Sequence, residues 1–222
     1  MRRWQTVTLL FVAALVPVPA AAQEPAPARS PLVRADLHGN CGWFNVKSDV
    51  PSGYDDWFNR VFYGGAGFGW YWTDHLKTEF EVGATSAAEL YSGEPVIISG
   101  QPTYLGFRQR FRSRSVAAAQ QYQFYRNAWF HPYLAAGVTV SWETLERQDD
   151  PLFFYDPLTR QSRTARSAKT HSPVKSVEGR PFAAAGFKAY MTERAFFRTD
   201  LRLGMRSGVD EVLLRFGLGV DF

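Results

Sequence analysis

The fold is decided by the last twelve residues, Glu211-Val212-Leu213-Leu214-Arg215-Phe216-Gly217-Leu218-Gly219-Val220-Asp221-Phe222. From Val212 onward every second side chain is apolar, and Arg215, two glycines and Asp221 lie between them. A β-strand places alternate side chains on opposite faces, so this strand has one apolar face and one small or charged face. Its length of about 11 residues matches a tilted strand that crosses a bilayer.

A strand that ends on an aromatic residue at the carboxy-terminus also resembles the final strand of bacterial outer-membrane β-barrels. In that family the closing motif directs the chain to the barrel-assembly machinery, so the resemblance implies the same partner during biogenesis. The residues that would form this assembly signal are Phe216, Leu218, Val220 and Phe222.

The other end of the chain has the layout of a secretory signal peptide. Arg2 and Arg3 precede a short apolar run at 7–16, and Ala20-Ala21-Ala22 supplies small residues for a cut after Ala22. The run is too short to span a bilayer, although an uncleaved membrane anchor is the alternative. We therefore expect a signal peptide at 1–22, a flexible Pro/Ala linker at 23–31 and a single barrel domain at 32–222.

Composition excludes several other classes of protein. Past residue 22 there is no run of about 18 apolar residues that would form a membrane-spanning helix. Cys41 is the single cysteine, so no disulfide forms within the chain. The formal charge is +4 and the basic residues are not clustered, so the sequence does not predict a nucleic-acid-binding surface.

Alternation predicts eight strands. They are expected at 32–46, 58–72, 76–87, 108–124, 130–145, 181–191, 196–206 and 212–222. Long connections at 47–57, 88–107 and 146–180 alternate with short turns, as in barrels with short periplasmic turns and longer external loops. The predicted fold class is all-β, an eight-stranded antiparallel up-and-down transmembrane β-barrel with both termini in the periplasm.

The phase of the fourth strand stays open. Val116, Ala118 and Tyr122 share a face with Arg110, Arg112 and Arg114. Either these arginines stand above the membrane, or a β-bulge resets the phase.

Aromatic residues gather near both ends of the strands, as in the aromatic girdles of membrane barrels. The expected inner girdle comprises Trp70, Trp72, Tyr122, Phe124, Trp129, Tyr190 and Phe222, and the outer one Trp43, Trp57, Phe58, Phe107 and Trp142.

The segment from Asn127 to Gly137 adds a second resemblance. Its Asn-x-Trp…Pro-Tyr…Gly pattern resembles the turn and strand of small outer-membrane barrels of the OmpA/OmpX/OmpW-like type. This resemblance indicates architecture and does not indicate an activity. The main structural rival is a soluble lipocalin-type barrel, which would keep an apolar interior for its ligand.

The polar faces of the strands predict a charged interior. An eight-stranded barrel is just wide enough for its own side chains, and buried charges must be paired. The predicted network comprises Lys77, Glu79, Glu81, Lys188, Arg198, Asp200, Arg202 and Arg215. Glu79 and Glu81 have the spacing of a carboxylate pair capable of acid–base chemistry, but we favour ion pairing with the neighbouring cations.

No catalytic, cofactor or metal site is expected. The four histidines are scattered without metal-ligand spacing, and His38 and Cys41 fall on opposite strand faces. His131, Ser141 and Glu143 have the residue types of barrel enzymes that edit lipid A. About ten residues of strand, roughly 33 Å, separate His131 from the other two.

The connection at 146–180 is basic. Arg160, Arg163, Arg166 and Lys169 are candidates for contact with anionic lipopolysaccharide, against the alternative of a solvated loop. Overall, we expect a monomeric, non-enzymatic structural or surface-interaction barrel with a charge-filled interior in the cell outer membrane, surrounded by outer-membrane lipid and lipopolysaccharide. A narrow porin-like transport barrel for small solutes is the alternative, and a lipid A-modifying enzyme is less favoured.

Overall fold

The computed structural model describes residues 35–47, 57–98, 100–124, 129–156 and 160–222. The predicted signal peptide and linker lie outside the described residues, as do Asn127 and Ala128 of the second resemblance. The strands are β1 Ala35–Lys47, β2 Trp57–Tyr71, β3 Leu76–Thr85, β4 Ala88–Ile98, β5 Gln101–Gln123, β6 Phe130–Asp149, β7 Leu152–Asp156, β8 Gln161–Arg166, β9 Lys169–Thr170, β10 Val174–Tyr190, β11 Ala195–Met205 and β12 Val209–Asp221. Nowhere in these ranges is there a helix long and apolar enough to cross a membrane.

Eight of the strands form a closed ring. Neighbours pair antiparallel in the order β1-β2-β3-β5-β6-β10-β11-β12, and β12 returns to β1 through the register from Asp36↔Asp221 to Val46↔Glu211. Ala35 and Phe222 also exchange backbone hydrogen bonds of 3.1 and 3.0 Å. Because the ring leaves no edge, its backbone groups are paired within the sheet. The predicted eight-stranded antiparallel barrel is confirmed.

The apolar faces point outward. On the closing strand Leu214, Leu218 and Val220 are 37%, 59% and 48% exposed, and the Phe216 ring meets Trp43 edge to face at a centroid distance of 5.8 Å. Polar side chains such as Arg215 and Asp221 occupy the opposite face and are buried inside the ring. An apolar exterior around a polar interior is the inverse of a soluble barrel.

The girdles agree with the prediction except at three residues. Phe58 and Phe107 lie inside the barrel, almost fully buried, and the Tyr190 hydroxyl turns inward to donate to Asp221. Phe58 departs from strict alternation because β2 carries a bulge: the register jumps from Phe44↔Val61 to Val46↔Phe58, and Arg60 adopts a φ of 59°. Phe107 is inside because it belongs to the inward phase of β5.

The phase of β5 is continuous. Odd-numbered side chains from Leu105 to Gln123 face the interior, and the register with β6 runs without a shift. Arg110, Arg112 and Arg114 therefore project outward, which excludes a bulge that resets the phase of β5; the bulge lies in β2 instead.

Two of the predicted long loops are largely β-ribbon. The fourth strand begins at Gln101 rather than at 108, and it pairs with β4 in the segment predicted as the connection 88–107. In the segment 146–180, β6 continues to Asp149, β7 and β8 form a separate hairpin, and β10 begins at Val174. We call this end of the barrel the ribbon end and the opposite one the turn end.

Candidate functional site

The lumen contains a charged layer towards the turn end. All eight residues of the predicted charge set are buried there. A chain of ion pairs connects seven of them: Lys77–Glu79 at 2.9 Å, Glu79–Arg198 at 2.8 Å, Arg198–Asp200 at 3.1 Å, Asp200–Arg215 at 2.8 Å, Arg215–Glu81 in close contact, and Glu81–Arg202 at 3.2 Å.

Two acids that the sequence analysis missed complete the layer. Lys188 joins the other residues through Asp36, which lies 3.6 Å from Lys188 and 3.0 Å from Lys77, and it pairs with Asp221 at 2.6 Å. The predicted set has five cations and three carboxylates, a formal excess of +2, which Asp36 and Asp221 cancel. Both lie on the polar faces of their strands. The requirement that buried charges balance one another would have identified them from the sequence.

Tyrosine hydroxyls fill the remaining acceptor positions of the carboxylates. Tyr63 donates to Glu81 at 2.6 Å, Tyr133 to Asp200 at 2.6 Å and Tyr71 to Asp36 at 2.7 Å. The Tyr63 ring needs a glycine beneath it, because a Cβ on Gly83 would lie 2.0 Å from its hydroxyl oxygen. Extra hydrogen bonds of this kind are what make buried ion pairs tolerable.

In the described part of the chain, one group has the residue types and spacing of a metal site: His38, Glu79 and Glu81, whose ligand atoms lie within 4.8 Å of one another. Cations of the chain already occupy it: the guanidinium of Arg198 is 2.8 Å from Glu79 and 2.9 Å from the Nε2 atom of His38. A divalent ion would add charge to a layer that is already neutral, so the trio is best described as a node of the ion-pair network.

An apolar layer fills the lumen towards the ribbon end. Phe44 and Phe58 stack on Phe111, with centroid distances of 6.3 and 5.3 Å, and Val61 and Leu213 pack in the same cluster. A cavity of about 10 Å³, the space of about one water molecule, lies at the border with the charged layer. This layer was not predicted, although Phe44 and Leu213 stand in the polar phase of their strands and signalled it.

Within the lumen, Arg180 reaches Glu143 in close contact and lies 3.8 Å from Glu211. The hydroxyl of Ser141 donates to Glu143 at 2.9 Å. His131 pairs in register with Lys188 at the turn end, whereas Ser141 pairs with Glu178 far along the same strands. The structure therefore does not bring His131, Ser141 and Glu143 together as a triad.

Asp149 ties the ribbons together beyond the barrel wall. Its carboxylate accepts hydrogen bonds from Arg147 at 2.7 Å and His171 at 2.9 Å, and Arg166 lies 3.4 Å away. Arg147 also donates to Glu94 of β4 at 2.8 Å. Burial alone would raise the pKa of Asp149, but the hydrogen bonds from His171 and Arg147 lower it below its usual value.

The candidate lipopolysaccharide contacts are all exposed. Arg160, Arg163 and Lys169 lie on or beside β8 and β9, and Arg166 of β8 also reaches Asp149. Phe153 and Tyr155 of the same hairpin are 61% and 62% exposed. Of the candidate assembly signal, Leu218, Val220 and Phe222 face outward at the turn end.

A family model described as the outer membrane protein β-barrel domain matches residues 8–222. The chain belongs to this family. Membership explains the apolar exterior as a surface that meets lipid in the outer membrane. No curated protein sequence matches the chain.

Among solved structures, this outer-membrane barrel is similar to neisserial surface protein A, with 13% identity, a TM-score of 0.51, and coverage of 85% of this chain and 97% of that one. The N-terminal barrel domain of OprF from Pseudomonas aeruginosa has 14% identity, a TM-score of 0.49 and coverage of 85% and 98%. OprG from the same organism has 14% identity, a TM-score of 0.47 and coverage of 85% and 96%. At such identities the first of these supports the fold alone.

Proposed function

We propose that the protein is a non-enzymatic outer-membrane barrel with a closed lumen, which acts through the surface of its ribbons. The observation that carries this proposal is the filling of the lumen by two successive layers. A solute would have to part the neutral ion-pair layer and then the stacked aromatic layer. Separating one partner from a buried ion pair costs about 3–5 kcal/mol, so neither layer opens readily.

The test is conductance in planar bilayers. We expect no steady current from protein whose insertion is verified by heat-modifiable migration on a denaturing gel, alongside a general porin as the conducting control. A reproducible single-channel current from the inserted protein would contradict a closed lumen and would support the porin-like alternative.

The non-enzymatic part of the proposal has a separate test. We expect the masses of lipid A species to be identical in cells with and without expression of the protein. The separation of His131 from Ser141 and Glu143 supports this expectation. A new lipid A mass that depends on expression would overturn it.

For the surface role, we propose that Arg160, Arg163, Arg166 and Lys169 contact lipopolysaccharide, since all four are exposed at the ribbon end. We also propose that Phe216, Leu218, Val220 and Phe222 bind the barrel-assembly machinery during biogenesis, through the outward apolar face of β12.

A further inference from the structure

A row of polar side chains crosses three neighbouring strands on the outside of the barrel. Thr144 of β6 pairs in register with Arg112 of β5 on one side and with Lys175 of β10 on the other. Arg114 follows on the same face of β5, opposite Trp142. Directly opposed residues have Cβ atoms about 5 Å apart, so the long cationic side chains are within reach of a common anion at Thr144. We call Arg112, Arg114, Lys175, Thr144 and Trp142 the outer basic patch.

The patch lies at the ribbon-side border of the lipid-facing band. The outward residues of β6 from Pro132 to Trp142 are apolar, and Thr144 is the first polar one. Ten residues of a strand tilted by about 40° span about 25 Å, the height of the apolar band in such barrels. The cations therefore stand at the level of the headgroups of the outer leaflet.

Among the residues that the structure describes, no acidic side chain neutralises this charge. Arg110 is flanked in register by Glu89 and Glu146 and lies 3.9 Å from the Glu146 carboxylate. The register neighbours of Arg112 and Arg114 are Thr144, Trp142 and Ala84 instead. Within the described ranges, no carboxylate pairs with Arg112, Arg114 or Lys175. The contrast with Arg110 points to an anion supplied from outside the protein.

A shallow outward groove adjoins the patch. Small residues of β2 and β3, Gly64, Ala66 and Ala84, form its floor, and Arg114 and Trp142 stand at its side. Such a groove in the lipid-facing wall accommodates a chain of methylene groups. Because this groove adjoins the cations, the two together are complementary to a molecule that has a phosphate at one end and an acyl chain at the other.

We propose that the outer basic patch binds a phosphate of the lipid A moiety of lipopolysaccharide, with one acyl chain in the adjoining groove. Arg112, Arg114 and Lys175 hold the phosphate by charge-assisted hydrogen bonds, and the hydroxyl of Thr144 donates to it. This inference deepens the proposed surface role and rests on it, and it adds a contact on the barrel wall to the one proposed at the β7–β8 hairpin.

The test compares two triple variants of the whole protein. The first is Arg112→Ala/Arg114→Ala/Lys175→Ala, and the matched control is Arg108→Ala/Arg194→Ala/Lys47→Ala, which removes the same charge from exposed positions outside both proposed contacts. Each is reconstituted in nanodiscs that contain lipopolysaccharide, and bound lipid is counted by native mass spectrometry. We expect retained lipopolysaccharide to fall about tenfold or more in the first variant and less than twofold in the control.

Heat-modifiable migration verifies that both variants are folded. Equal losses in the two variants would indicate general attraction between charges and would overturn the wall site, and so would a loss in the control alone. Lipid A would be excluded as the ligand if phosphatidylglycerol were retained as strongly as lipopolysaccharide. Displacement of bound lipopolysaccharide by millimolar inorganic phosphate would exclude it as well. Retention unchanged in both variants would overturn the wall site alone, whereas no retention of lipopolysaccharide by the unmodified protein would also overturn the proposed surface role.

Discussion

Glu81 shows how a single residue holds the charged layer together. Its carboxylate pairs with Arg202 and Arg215 and accepts hydrogen bonds from Asn40 at 3.0 Å and Tyr63 at 2.6 Å. Glu81→Gln keeps the shape but leaves two buried guanidinium groups short of their counter-charge. We expect the free energy of unfolding to fall by about 3 kcal/mol, as when one partner of a buried pair is removed. Urea unfolding in lipid vesicles, followed by tryptophan fluorescence, measures the loss.

Glu146 offers the matched control for that substitution. It is a half-exposed partner of Arg110 on the outer surface, and exposed ion pairs contribute about 1 kcal/mol or less. Glu146→Gln should therefore change the free energy of unfolding by less than about 1 kcal/mol. A Glu81→Gln protein as stable as the control would show that the layer is not held by paired charge.

At the scale of the strands, alternation predicted most of the barrel and failed where tertiary contacts replaced it. The closing strand, β3 and β11 follow a clean period of two, and their inward and outward faces could be assigned from sequence. β2 could not, because the bulge at Arg60 turns both Phe58 and Val61 inward. The ribbons were missed since pairing of β4 with β5 depends on register, which alternation alone does not specify.

The candidate site was predictable to a similar extent. The polar phase of four strands located the charged layer, while the contribution of β1 and the end of β12 became evident once the unbalanced charge was counted. The apolar layer was harder to predict, because Phe44, Phe111 and Leu213 come from three strands and form one cluster only when the ring closes. Local pattern assigned their faces but could not reveal their common contacts.

Asp149 makes the ribbon end sensitive to acid. Its pKa is lowered in the folded protein, so its contribution to stability is fully present above the unfolded value of about 4 and is lost as pH falls through the lower folded value. We expect amide protection in β8, β9 and the end of β6 to fall several-fold between pH 5 and pH 3. Hydrogen exchange, corrected for the intrinsic effect of pH, measures this change.

Two substitutions separate Asp149 from the other carboxylates. Asp149→Asn should have low protection at both pH values, because the hydrogen-bonded charge is absent throughout. Asp150→Asn removes the next carboxylate, which interacts with the exposed Tyr91, and should keep the pH dependence of the unmodified protein. Acid sensitivity that persists in Asp149→Asn would assign the effect to another group.

The whole molecule combines a closed ring with a lumen filled by paired charges and apolar side chains. Closure provides hydrogen-bond partners for the backbone groups that lie in lipid. The two lumenal layers provide ionic and apolar partners for the side chains that the ring encloses. Closure of the ring and pairing of the charges support each other. Ion pairs connect β3 with β1, β11 and β12 across the lumen, so they hold opposite walls of the barrel together. An open sheet would leave these buried charges without partners, which makes closure and charge pairing one cooperative event.

The seam between β1 and β12 tests that closure directly. Leu37 and Val220 are register partners that both face outward, and antiparallel partners have Cα separations of about 4.5–5.5 Å, within the range of a disulfide. In a Cys41→Ser background, Leu37→Cys/Val220→Cys should form a disulfide under mild oxidation and migrate as a covalent ring on a non-reducing gel after heating. The offset pair Leu37→Cys/Phe216→Cys, four residues out of register, should stay reduced because its Cα atoms are about 13 Å apart along the strand. Equal cross-linking of the two pairs, or of neither, would contradict the register that closes the barrel.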